Sequence, residues 1–139
     1  FRVAERAKIT SRKIEKDDGF EYCVSASHNG YSRFFNECIH SRKITLNPTS
    51  INIDDAITGK FKTAISRFYI HPNIKLYDAD KDITLVGKKF RAVIKKKDLD
   101  IKIINTKYFP EFGIEIDNFC IEVRFARRLH KISFKFLEL

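Results

Sequence analysis

The sequence contains no methionine, and its first residue is Phe1. A chain of this kind is expected to be a processed product or a piece of a longer polypeptide. It holds only 5 Gly and 3 Pro, so no stretch reads as a flexible linker or a low-complexity tract. No apolar run approaches the ~20 residues of a membrane-spanning helix. No secretory signal pattern occurs either, which in a piece of a chain says nothing about export of the parent. The three cysteines, Cys23, Cys38 and Cys120, are far apart, without a Cys-x-x-Cys or Cys-x-x-His pair. That spacing argues against a zinc knuckle or a redox motif. An odd count leaves at least one thiol free or intermolecular. Cys23 and Cys38 remain open to pairing in an oxidising compartment, with buried free thiols the plainer alternative. GxSxG, P-loop, GxGxxG and HExxH patterns are all missing.

What is present is a globular composition. The 139 residues are 43% hydrophobic and include 13 Phe and 5 Tyr, too apolar for a disordered chain. The length suits one domain spanning 1–139. Folding at this size buries roughly two-thirds of the surface the unfolded chain exposes. The net charge is +9, which attracts phosphate, sulfate or carboxylate groups on nucleic acid, glycan or lipid. The basic residues are densest in "KKK" at Lys95–Lys97 and "ARRLHK" at Ala126–Lys131. Solvated faces are the simple account of both runs, since opposite signs are interspersed throughout.

The dominant period is two. "FEYCVSASH" sets Phe20, Tyr22, Val24, Ala26 and His28 on one side, and "SINIDDAI" does the same with Ile51, Ile53, Asp55 and Ile57. Leu99, Ile101 and Ile103 alternate, as do Phe119, Ile121, Val123 and Phe125, and Ile132, Phe134 and Phe136. Each run reads as a strand with one face on a core and one in water. Turn signals such as "HNG", "NPTS", "TGK", "HPN" and "YFPEFG" fall between them at short intervals. Nine to eleven strands are expected, and no helix of ten residues. The fold class is all-β, a two-sheet antiparallel β-sandwich. Crossover helices have no room, so a parallel βαβ architecture is disfavoured.

The stretch "HNGYSRFFNECIHSRKITL", from His28, concentrates the residues capable of chemistry. The four histidines, His28, His40, His71 and His130, lack the short spacing of a zinc ligand pair, so surface or turn positions are their simple account. His40 and Arg42 share a strand face. Asp54 and Asp55 point to opposite faces and cannot act as an acid–base couple. Asp55 falls on the apolar side and is expected to bond turn amides at the strand end. Gly30 is expected at a turn needing positive φ. Single-strand nucleic-acid binders interleave basic residues with exposed aromatics. Here Phe119, Phe125, Phe134 and Phe136 sit at core spacing, so nucleic acid is not the expected partner.

"SHNGYSRFFNECIHSRKITLNPTSINIDDAITG", followed by "AISRFYIHPNIKL", resembles the heparinase II/III-like polysaccharide lyase family. The shared pattern is His-x-Gly-Tyr at His28–Tyr31, His-x-Arg at His40–Arg42, Asp-x-hydrophobic-x-Gly at Asp55–Gly59, and His71-Pro72. "FRVAERAKI" at Phe1–Ile9 looks like the family's strand after its His-Asn-Thr segment. "YFPEFG" at Tyr108–Gly113 looks like its late turn. The resemblance implies the C-terminal β-sandwich of a protein whose α-helical toroid precedes it. It also implies a parent that cleaves acidic polysaccharide by β-elimination, in the periplasm of a bacterium or secreted from it.

In the family the catalytic Tyr, His and Asn or Gln come from the toroid. Where a zinc is held, its ligands lie upstream of the strand matching Phe1. No catalytic or metal-binding residue is therefore expected here, and no cofactor in this chain, although the parent could carry zinc. The expected role is scaffold and cleft wall, with His28, Tyr31, Arg42, Arg127 and Arg128 as candidate substrate contacts. The alternative is a stand-alone β-module that binds an anionic glycan or a partner without catalysis. The expected partners are acidic polysaccharide and the parent's toroid, without a membrane span.

Overall fold

The computed structural model describes residues 6–16, 21–33 and 37–138. Among them are eleven strands: β1 (Ile9–Lys16), β2 (Tyr22–His28), β3 (His40–Asn47), β4 (Ser50–Ile57), β5 (Ala64–Ile70), β6 (Lys75–Asp78), β7 (Asp82–Val86), β8 (Arg91–Lys95), β9 (Asp100–Tyr108), β10 (Ile116–Phe125) and β11 (Leu129–Leu137). No helix occurs among the described residues. The strands form an eight-stranded sheet, in the order β1-β2-β3-β4-β11-β8-β7-β6, and a three-stranded sheet, β5-β10-β9. The printed pairings are antiparallel. The fold is the expected all-β, two-sheet antiparallel sandwich. Phe1–Glu5, the "DDG" turn and Phe20 lie outside the described residues.

The contacts divide the chain into two compact units. One comprises Phe1–Thr63 with Ala126–Ser133, the other Ala64–Phe125 with Phe134–Leu139.

In the second unit β10 is the centre of its sheet, with β5 and β9 on its two sides. Its Cys120, Ile121 and Val123 are fully buried. Ile83, Leu85, Ala92 and Ile94 of β7 and β8 are buried too. Phe68 of β5 meets Phe134 of β11 edge-on, with centroids 5.5 Å apart, a favourable aromatic geometry.

In the first unit β1, β2, β3 and β4 run as a meander. The β3–β4 connection is a tight hairpin, with Asn47 paired to Ser50. Asn47 Oδ1 accepts from the Thr49 amide at 3.1 Å and from the Ser50 hydroxyl at 3.1 Å. This side-chain mimic of a backbone turn explains why Asn precedes Pro48. The register that follows places His40 opposite Ile57 and Arg42 opposite Asp55. Where "TGK" leaves β4, Gly59 has φ +80°, and a Cβ there would stand 2.9 Å from the Glu37 carbonyl oxygen. Only glycine meets both demands.

Two strands depart from expectation. In β10, Phe119, read at core spacing, is 41% exposed while its neighbours Asn118 and Cys120 are buried. In β2 the buried side chain is Cys23, while Tyr22, Val24 and Ala26 are exposed. The apolar side of the alternation was read as the core side. Alternation tells which side is apolar and says nothing of whether anything covers it. All three cysteines are buried free thiols.

Candidate functional site

The first unit gathers its chemistry at one end of the meander. His28, the last residue of β2, pairs across strands with His40, the first of β3. Arg42 lies one step further along the same face, and the β4 register brings Asp55 beneath it. Asp55 is 1% exposed. Its Oδ1 accepts from Arg42 Nε at 2.7 Å and its Oδ2 from Arg42 Nη2 at 2.9 Å. His40 Nε2 lies 2.8 Å from the same Oδ1. A buried carboxylate is tolerated only when it is so paired. The two-point grip is the geometry that guanidinium supplies and ammonium cannot. Bonding to Asp55 raises the Arg42 pKa above its ordinary value, against the effect of burial.

Protons along the cluster can be assigned from one fixed donor. The Gly30 amide donates to His28 Nδ1 at 3.1 Å. In neutral His28 the proton then sits on Nε2, which donates to His40 Nδ1 at 3.1 Å. His40 in turn carries its proton on Nε2 and donates it to Asp55. The result is a chain of contacts from Gly30 through two imidazoles to one carboxylate. A proton added at His28 Nδ1 would break its bond from the Gly30 amide. Burial, and secondarily His40, hold the His28 pKa below its ordinary value.

Tyr31 stands at the open end, 47% exposed. Its ring centroid is 5.4 Å from that of His28 and 6.3 Å from that of His40. His130, on β11, feels the charges of Asp55 and Arg42, and burial holds its pKa low. Gly30 corrects one expectation. Its φ is not positive, and what requires glycine is close approach. A Cβ there would lie 2.9 Å from the Ala7 Cβ and 3.0 Å from His28 Nδ1.

Three of the candidate contacts, His28, Tyr31 and Arg42, are therefore brought together. Arg127 and Arg128 are not among them: they are exposed in the turn between β10 and β11. Asp55 is corrected from a turn-binding role to the carboxylate that organises His40 and Arg42. Counting back from the Asn47–Ser50 turn would have found it. His130 reaches the cluster from a distant strand, and nothing local in the sequence signals that. His71 is apart, its Nδ1 accepting from the Asn73 amide at 3.2 Å in a turn.

Serine hydroxyls cross the alternate face of the meander, Ser11 to Ser27 at 3.0 Å and Ser27 to Ser41 at 2.7 Å. A groove of about 400 Å³ crosses the strands there, lined by Ser25, Ser27, Ser41, Lys43, Lys131 and also Asp54, which lies 4.0 Å from Lys131. Among the described residues no three His, Cys, Asp or Glu side chains converge to hold a metal ion. The ring nitrogens of His28 and His40 are engaged by the hydrogen bonds above.

The pattern of the heparinase II/III-like family's C-terminal region matches residues 1–133. The chain belongs to this family. Solved structures agree in fold. The heparan sulfate lyase HepC from Pedobacter heparinus aligns with a TM-score of 0.71 at 10% identity, over 99% of this chain and 22% of that one. A heparinase III gene product with methylated lysines aligns with a TM-score of 0.70 at 10% identity, over 92% of this chain and 21% of its own. This heparinase II/III-like chain thus spans about a fifth of the length of those relatives. No curated protein matches it.

Proposed function

We propose that this chain is the C-terminal β-sandwich of a polysaccharide lyase and serves as scaffold and cleft wall. The polypeptide that carries it would cleave acidic, uronate-containing polysaccharide by β-elimination. A base takes the proton beside the uronate carboxylate, the glycosidic C–O bond breaks, and the departing oxygen is protonated. The observation that carries the reading is the internal engagement of the cluster. Arg42 and His40 are spent on Asp55, so they hold a wall in shape instead of neutralising a substrate carboxylate. Tyr31, at the rim, is the side chain left to hydrogen-bond a glycan, with the His28 ring beside it. The base, the carboxylate-neutralising groups and any zinc then belong to a helical toroid elsewhere in the polypeptide. A periplasmic or secreted bacterial protein fits such a substrate.

The test compares this chain with the longer polypeptide on heparan sulfate, alginate and other uronate polymers, following absorbance of the unsaturated product. Product is expected from the longer polypeptide only. Robust turnover by the purified 139 residues, or none by either, would overturn the reading.

A second reading, a stand-alone anionic-glycan-binding module, is favoured by the groove bearing Lys43 and Lys131 beside the serine hydroxyls. Strong, composition-selective glycan binding by a natural polypeptide no longer than this chain would decide for it.

A further inference from the structure

The alternate face of the meander carries two polar rows that cross its strands. Ser27 of β2 stands opposite Ser41 of β3, and their bonded hydroxyls continue to Ser11 of β1. The next row sets Lys13, Ser25, Lys43 and Asp54 in register. Lys131 of β11 reaches Asp54 at 4.0 Å. From β2 to β11 these side chains line the groove of about 400 Å³. Lys13 lies outside it and is engaged by Glu15. Arg42 lines it too, but is held by Asp55. Lys43 and Lys131, both exposed, therefore carry its positive charge. Their spacing selects what fits. Neighbouring strands lie about 4.8 Å apart, close to the length of one sugar unit in a linear glycan. Lys43 on β3 and Lys131 on β11 are separated by β4 alone, hence by about 10 Å, or two sugars. Asp54 stands on the strand between them, where a like charge is repelled. No Phe or Tyr lines the groove among the described residues, so nucleic-acid bases have no ring to stack on.

We propose that this groove binds a linear polysaccharide laid across the strands, with one carboxylate on every second sugar, as in an alternating uronate–hexosamine chain. Two successive carboxylates sit at Lys43 and Lys131. The uncharged sugar between them lies over Asp54, which accepts from its hydroxyl or amide groups, and the serine hydroxyls bond its other oxygens. A polyuronate, charged on every sugar, brings a carboxylate against Asp54 and is the poorer ligand. The site is on the face opposite the Asp55 cluster and the Tyr31 rim. The inference rests on acidic polysaccharide as the partner, which both readings above share.

The experiment uses the whole natural polypeptide at physiological salt. Its lysines are acetylated with and without heparosan, alginate or single-stranded DNA, over times shorter than any cleavage, and mapped by mass spectrometry. Heparosan is an unsulfated alternating uronate–hexosamine polymer, and alginate a polyuronate. Heparosan is expected to protect Lys43 and Lys131 and to leave Lys97, exposed after β8, reactive. Alginate and DNA should protect the pair only at higher concentration. Lys43→Gln is expected to weaken heparosan protection of Lys131 roughly tenfold, the worth of one charged hydrogen bond. Asp54→Asn should strengthen alginate and narrow the gap between the two polymers. The fold should tolerate that change, since an exposed pair at 4.0 Å adds little stability. Three results would each overturn the proposal: Lys43 and Lys131 unreactive without glycan, protection confined to other lysines, or equal protection by heparosan and alginate. Cleavage is followed separately by product absorbance. Protection without cleavage defeats the lyase reading alone, and cleavage without protection of this pair defeats this inference alone.

Discussion

Arg42 and Asp55 hold each other at two points, the carboxylate buried and the guanidinium part-exposed. Removing one partner strands the other. Arg42→Ala is expected to cost about 3–5 kcal/mol, read from urea unfolding. Arg42→Lys keeps the charge but loses the fork, so a clear fraction of that loss should remain. A loss below about 0.5 kcal/mol for both variants would mean that the pair is no better than an exposed one. Protons act on the same cluster. Burial, chiefly, holds His28 and His130 below the ordinary histidine value of 6.5. The unfolded chain then binds more protons at mildly acid pH, so stability falls as pH drops through that value toward the lower folded ones. Urea midpoints between pH 8 and pH 5 should show this fall, and His28→Gln should flatten it. Asp55 shows what was hard to read in the sequence. Its place on the apolar side was plain, but its partners sit on another strand, and pairing requires the register.

The strands themselves were legible, because alternation and turn residues are local properties. Nine to eleven were expected, and eleven are present among the described residues. Two features of elements were not legible. Tyr22 and Val24 lie on the apolar side of β2 yet remain exposed, since a cover is not encoded in the strand. Gly30 carries no positive φ, since a close approach depends on which residues return to the turn, here Ala7 and the His28 ring. Gly30→Ala should therefore cost roughly 1–3 kcal/mol through overpacking. It should also shift the His28 imidazole resonances, because the amide that holds Nδ1 must move. Unchanged resonances in a folded variant would show that the turn has slack.

At the scale of the molecule, charge is the property that acts at a distance. A net charge of +9 should give weak heparin binding that collapses with salt, as the Debye length shrinks from about 10 Å at 0.1 M to about 3 Å at 1 M. Replacing Arg127 and Arg128, both exposed, with Ala should lower that affinity and leave Tm in place. Equal affinity of wild type and variant would assign no ligand role to that turn. Charge counts were read directly from the sequence, but which basic residues are already engaged was not. Arg42 is held by Asp55, whereas Arg127 and Arg128 face water.

The Asn47–Ser50 hairpin has a consequence for how such a chain can change over generations. Side chains alternate with a period of two, so one residue added to or lost from β3 would turn both His40 and Arg42 to the opposite face. Asp55 would keep its buried place and lose both companions in a single event. Substitutions in this hairpin can be tried one at a time, but changes of length cannot. The Glu111–Gly113 turn has no such dependence, being exposed, with open space around Gly113. Length variation among descendants of this sequence should accumulate in that turn and be purged from the hairpin.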